Sequence, residues 1–293
     1  MILVTGATGL TGGELVRLLS AKGVPVRALV RSREKASALA SLPGVEIVQG
    51  DMAEPETLHE ALEGVDRAML ISSSDSTMLE VQASFIDAAC DAGVKHVVKL
   101  SGIIPDIHSK FRFARMHGEA EKKLEDSGMD WTHLRAGEFM QAYFRQVPSI
   151  VNRGILALPM EDASIASIDA ADIARVAADV LTGDDHEGKI YPITGPESLT
   201  MAEVAERLSR VTGTRVRYVN IAPEEAKKAQ LAAGLDPYLV DGLVELFAER
   251  RQGKESKAWD TIERVFGWRP TSFEEFAQRN AAVFRGEQPV PRR

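Results

Sequence analysis

Three glycines, Gly6, Gly9 and Gly12, stand at intervals of three directly behind the apolar run Ile2, Leu3, Val4 and ahead of an amphipathic stretch. Such a string suits one task. It brings backbone N–H groups up to a phosphate at the start of a helix, where the helix dipole also favours negative charge. The spacing is G-x-x-G-x-x-G, a variant of the G-x-G-x-x-G dinucleotide fingerprint. Gly6 permits the tight turn, Gly9 lets the backbone approach a pyrophosphate, and Gly12 lets the helix sit close to the sheet. Leu10 completes the turn, and Thr8 and Thr11 add hydroxyl groups. A turn of this composition also occurs for structural reasons alone; its position at the head of a βαβ series points to a nucleotide.

The end of the next apolar run, Val26–Val30, carries the second clue. A chain that binds NAD holds the ribose 2′-OH with a carboxylate there. This one has Arg31, then Ser32 and Arg33, with Lys35 close by and no carboxylate before Glu34. A planar guanidinium matches a 2′-phosphate, so NADP(H) is expected in preference to NAD(H).

The elements that must hold these residues alternate. Strands are expected at Met1–Thr5, Val26–Val30, Val45–Val48, Arg67–Ser72, His96–Ser101 and Trp131–Arg135, with helical periodicity between them, as at Gly12–Lys22 and Leu79–Ala92. Repeated βαβ units imply an α/β fold, a Rossmann-type doubly wound parallel sheet. After Arg135 the pattern loosens. A helix at Asp169–Leu181, a strand at Lys189–Ile193, a capping box opening a helix at Thr200, a strand at Arg215–Ile221, helices at Pro223–Ala233 and Pro237–Arg250 and a closing helix at Thr271–Phe284 are expected. Residues 1–153 thus read as an NADP-binding domain. Residues 154–293 read as a smaller α+β subdomain that shapes a substrate pocket and shares the core, ending in a loose tail from Gly286.

Composition narrows the class. The 293 residues are 44% hydrophobic and 27% charged with net charge −8, ordinary for a globular protein and without a basic run for nucleic acid. The one cysteine, Cys90, lies in an apolar pattern and is expected to be buried. No metal-ligand spacing, secretory leader or membrane-length apolar stretch stands out, so a cytoplasmic protein acting on a small molecule is expected, its oligomeric state left open.

The glycine string, Arg31, the run Gln49, Gly50, Asp51, Met52, the run Lys99, Leu100, Ser101, Gly102, and the segment from Thr132 to Gly137 together resemble the NmrA-like family of atypical short-chain dehydrogenase/reductase relatives. The stretch from His117 to Thr132 is similar to its NADPH-dependent quinone, azo-dye and triphenylmethane-dye reductase branch. The resemblance implies roles. Asp51 and Met52 would lie against the adenine, Ser72 and Ser73 along the ribose and phosphates, Ser101 and Gly102 near the nicotinamide, and Glu138, Phe139, Met140 and Tyr143 at the acceptor pocket. The residues also allow Asp51 as a turn residue and Phe139 and Tyr143 as core.

One departure bears on chemistry. The Tyr-x-x-x-Lys dyad of short-chain dehydrogenases is absent: the first tyrosine after Ser101 is Tyr143, and Val147 stands four residues on. The corresponding helix offers His117 and, on the same face, Glu121. His117 falls where isoflavone-reductase-like relatives place a catalytic lysine, and an imidazole can donate a proton near neutral pH. The alternative is a surface histidine paired with Glu121. Ser101 is the second catalytic candidate. Without a phenol acid, acceptors that delocalise charge, such as quinones and azo dyes, are favoured over simple ketones. An NADPH-dependent oxidoreductase is therefore expected; the rival is a non-catalytic regulator that senses NADP(H).

Overall fold

The computed structural model describes residues 1–291; Arg292 and Arg293, at the end of the expected tail, lie outside the described residues. Seven parallel strands form the central sheet: β1 (Ile2–Val4), β2 (Val26–Val30), β3 (Val45–Gln49), β4 (Arg67–Leu70), β5 (His96–Gly102), β6 (Asp130–Ala136) and, from far along the chain, Lys189–Ile193. The strand order is β3-β2-β1-β4-β5-β6 and then the Lys189–Ile193 strand, every neighbouring pair parallel. The doubly wound sheet read from the alternating pattern is present.

The winding reverses between β1 and β4. Thr5 ties that junction: its Oγ1 donates to the Ile71 carbonyl and accepts from the Ile71 N–H, both at 2.7 Å. Ligands of open α/β sheets bind outside the strand C-termini at such a point.

Helices cover both faces because parallel strands are apolar on both. One face carries α1 (Leu10–Ala21) and the short α2 (Ser37–Ala40), and the other α3 (Leu58–Leu62), α4 (Met78–Asp91) and α5 (Arg112–Glu125). The Cys90 expectation is corrected here. Met78, Gln82, Phe85, Ile86 and Ala89 form the buried stripe of α4, and Cys90, one residue past Ala89, turns out to solvent. A step of one residue swings about 100° around a helix.

After β6 come a 3₁₀ segment (Met140–Gln146), α6 (Val147–Arg153), β7 (Ile155–Leu158), β8 (Ser164–Ile165) and α7 (Ala170–Thr182). Then follow β9 (Lys189–Ile193, the seventh sheet strand), β10 (Leu199–Thr200), α8 (Met201–Thr212), β11 (Arg217–Asn220), α9 (Pro223–Ala232), α10 (Pro237–Arg251), α11 (Phe273–Arg279) and α12 (Ala281–Phe284). The Thr200–Glu203 capping box is formed, and Asp169 caps α7 by accepting from the Ala171 N–H. The short strands β7, β8 and β10 were not anticipated, and the closing helix is broken at Asn280 into α11 and α12. Helix α7 packs on α1, so residues beyond 153 complete both the sheet and one of its covers. A second apolar core gathers α8, α10, α11 and the outer face of α5. Among the described residues no helix is long and apolar enough to cross a membrane.

Candidate active site

The glycine turn leaves the start of α1 open. Gly6 takes φ +59°, a left-handed conformation that favours glycine. The Gly9 N–H then donates to the Gly6 carbonyl at 2.9 Å, and Gly9 becomes the N-cap of α1 with no side chain capping it. Orphan N–H groups of the first turn are therefore left facing outward, with no acidic residue among them. The role expected for Gly12 is corrected. A Cβ there would lie 2.3 Å from the Gly6 carbonyl oxygen, so Gly12 makes room for the turn itself rather than for the sheet. Thr8 is exposed, Leu10 half-buried, and Thr11 Oγ1 is buried without a hydrogen-bond partner among the described residues. An uncapped helix start, a missing Cβ and an orphaned hydroxyl fit a dinucleotide pyrophosphate.

The other cofactor-side residues lie at the same edge. Arg31 and Arg33 follow β2, both exposed, and neither forms an ion pair among the described residues; Glu34 bonds Ser32 instead, at 2.9 Å. Asp51 shapes the turn after β3, its Oδ1 accepting from the Ala53 N–H at 3.0 Å, while Met52 packs partly buried against the sheet. Ser72 and Ser73 follow β4, and Gln82 of α4 fixes Ser72 by donating to its Oγ at 2.8 Å.

Past β5 the side chains diverge from expectation. The Ser101 side chain does not face the cleft. It is 3% exposed, accepts from Lys99 Nζ at 3.3 Å and donates to Glu121. Glu121 is not the partner of His117 either. Arg135 of β6 grips it through Nη2 at 2.6 Å and Nε at 3.2 Å, and these donors hold the carboxylate below its usual range against the cost of burial. His117 instead accepts from Lys99 Nζ through Nδ1, at 3.1 Å. Burial first, then the neighbouring Lys99 charge, hold the imidazole well below its ordinary pKa. The ring is thus neutral at neutral pH, not an imidazolium. It lies against Gly102, where a Cβ would come within 3.1 Å of its Cδ2.

Lys99 is the residue sequence reasoning passed over. It is fully buried, and burial pulls its ammonium down to about 7. The signal was present: a lysine interrupting the apolar run of a strand covered on both faces.

Of the acceptor-side residues, Glu138 and Tyr143 line a cavity of about 630 Å³ walled also by Ile155, Val219, Leu243 and Phe247. That size suits a small organic molecule. Met140 is 1% exposed within the second core and Phe139 packs toward the sheet, so, against expectation, neither lines the cavity. The phenol of Tyr143 touches Met201 Sδ at 3.8 Å, and burial raises its pKa further above neutrality. Glu138 is engaged by Arg250, which also donates to Glu255 at 2.7 Å, and by Arg145 at 3.8 Å.

A family model described as the NmrA-like family matches residues 1–277. The chain belongs to the NmrA-like family. Among its relatives, the NAD(P)H azoreductase of Xenophilus azovorans is 40% identical over 284 residues, 97% of this chain and 99% of that protein. The NADPH-dependent quinone oxidoreductase of Escherichia coli, solved with NADPH, superposes with a TM-score of 0.87 at 32% identity, covering 95% of this chain and 99% of that one. The triphenylmethane reductase of Citrobacter, solved with NADP(H), superposes at 0.84 with 29% identity, covering 96% of this chain and all (100%) of that one. The resemblance read from the glycine string and the His117 helix therefore holds along the chain.

Proposed function

We propose that the chain is an NADPH-dependent oxidoreductase that reduces conjugated small molecules such as quinones and azo dyes. One observation carries this reading. An uncapped glycine turn, an Arg31 without an ion pair among the described residues and the Lys99–His117 pair share one sheet edge, in a chain 40% identical to an azoreductase. When bound, the nicotinamide supplies the hydride.

The chain supplies position and protons. The α1 N-terminus with Thr8 and Thr11 would hold the pyrophosphate, Arg31 and Arg33 the 2′-phosphate, Asp51 and Met52 the adenine, and Ser72 and Ser73 the ribose and phosphates. Gly102 leaves room beside His117 for the reacting end. The cavity lined by Glu138 and Tyr143 would take the acceptor. The chain carries no Tyr-x-x-x-Lys dyad to protonate an alkoxide, which favours acceptors whose charge is spread or lost on reduction.

The direct test follows loss of nicotinamide absorbance with a panel of quinones, azo dyes, cationic dyes and enones. Turnover with quinones or dyes is expected. Tight NADPH binding with no turnover would instead make the protein a sensor of NADP(H).

Arg31→Ala tests the cofactor assignment. A charge-assisted hydrogen bond is worth about 1.5–3 kcal/mol, so NADPH affinity should fall about 10- to 100-fold while NADH affinity stays nearly constant. Calorimetry at low salt checks it, since the exposed site is screened at high salt. Equal wild-type affinity for the two cofactors would remove Arg31 from this role.

A further inference from the structure

We propose that Lys99 is the proton reservoir of the reduction and that its proton reaches the acceptor through the imidazole of His117. The inference rests on the hydride-transfer reading above and adds the source of the proton, which the missing phenol acid leaves open.

The geometry is a two-step path from a buried cation to the sheet edge. Lys99 sits on the face of β5 covered by α5, with no exposed surface. Its Nζ donates to the Leu100 carbonyl at 3.4 Å, to Ser101 Oγ at 3.3 Å and to His117 Nδ1 at 3.1 Å. A neutral imidazole that accepts at Nδ1 carries its hydrogen on Nε2. His117 is half-buried and lies against Gly102, at the strand end where the reacting parts must meet. The outward ring nitrogen is thus a donor, and the inward one is in contact with an ammonium.

The surroundings set the ease of release. From α5, Glu121 favours the charged amine, and from β6 Arg135 opposes it, with His133 beside them. Glu125 is occupied by His133 at 3.1 Å. Strand β4 pairs Leu70 with Lys99, and α4, the other helix on this face, buries no ionisable side chain. Burial outweighs Glu121 and brings Lys99 to about 7, where a proton can be held and given up at neutral pH.

The step balances. The hydride's electron pair goes wholly to the acceptor, leaving negative charge on a quinone oxygen. That oxygen takes the Nε2 proton of His117, Nδ1 takes one from Lys99, and Lys99 is left a neutral amine. When product leaves, a solvent proton adds to Nε2 and the Nδ1 proton returns to Lys99. No bond to the protein forms. A cationic triphenylmethane dye is neutralised by hydride itself and takes no proton, so it bypasses the relay.

The experiment compares wild type with Lys99→Met and Lys99→Arg as holoenzymes. Methionine fills the same volume without the charge; arginine keeps the charge but does not release its proton. Both variants should lose quinone turnover by about 10²-fold, keep cationic-dye turnover within about threefold, and bind NADPH as the wild type does. Wild-type kcat for quinone should decline as pH rises through about 7, because the protonated amine is the competent form. The variants should lack that limb. Independently of turnover, nitrogen NMR of His117 should show the Nε2–H tautomer with a shift that titrates near 7 in wild type and not in Lys99→Met.

Quinone turnover retained within about threefold in Lys99→Met, or a His117 signal flat across neutral pH in wild type, overturns the proposal. A wild type that reduces neither acceptor overturns the reductase reading instead, and the NMR titration still decides whether Lys99 and His117 share the proton.

Discussion

Gly12→Val should abolish useful NADPH binding. The first side-chain carbon would stand 2.3 Å from the Gly6 carbonyl oxygen and 2.7 Å from its carbon, both backbone atoms of a turn already at φ +59°. Neither can move without opening the turn, so the first N–H groups of α1 would no longer converge on a phosphate. Losing two charge-assisted hydrogen bonds at about 1.5–3 kcal/mol each lowers affinity by about 10²–10⁴-fold. Overpacking should also cost about 1–3 kcal/mol of stability. Gly9→Ala is the graded comparison: its Cβ would meet the same oxygen at 3.2 Å, a squeeze that a shift of a few tenths of an ångström relieves. Calorimetry with NADPH, run beside thermal melting, separates lost binding from lost fold. Undiminished affinity in a folded Gly12→Val protein would overturn the placing of the pyrophosphate.

Arg250→Met should be the most destabilising single change around the acceptor cavity. Arg250 is 4% exposed and stands between Glu138 and Glu255. Removing one member of a buried ion cluster leaves uncompensated charge and costs about 3–5 kcal/mol. Arg145 remains for Glu138, so Glu255, which among the described residues forms an ion pair with Arg250 alone, bears most of the loss. Burial already raises the Glu255 carboxyl, and Arg250 opposes that rise. In the variant the carboxyl rises further. A folded-state pKa raised above the unfolded value stabilises below the unfolded value and loses that contribution as pH rises. The deficit should therefore grow from pH about 5 to pH about 8. Urea unfolding at both pH values checks it, and a cost that is flat with pH would place the loss in packing instead.

The first six strands and the glycine turn could be read from the chain because they rest on local signals. A strand period, a glycine spacing and an arginine at a strand end each lie within a few residues of one another. What escaped rests on contacts between distant segments. Spacing joins His117 to Glu121 one turn away on α5, but Arg135 arrives from β6 and takes the carboxylate. Lysine is a surface residue by composition, and only the helices over β5 make Lys99 a buried amine. Four-residue β7 carries no alternation that would mark it, and it becomes a strand by pairing with β11, some sixty residues later. Cys90 shows the reverse error: an apolar neighbourhood in sequence says nothing of which side of the helix a residue takes.

The late arrival of β9 governs how the chain can be made. Until residues 189–193 leave the ribosome, β6 is a bare sheet edge, with Thr132–Ala136 offering unpaired backbone groups, and α1 lacks the α7 that covers it. Bare edges invite pairing with other chains. If the first six strands assemble ahead of β9, they carry this bare edge until the chain beyond them has been translated, and a pause in the intervening stretch prolongs the exposure.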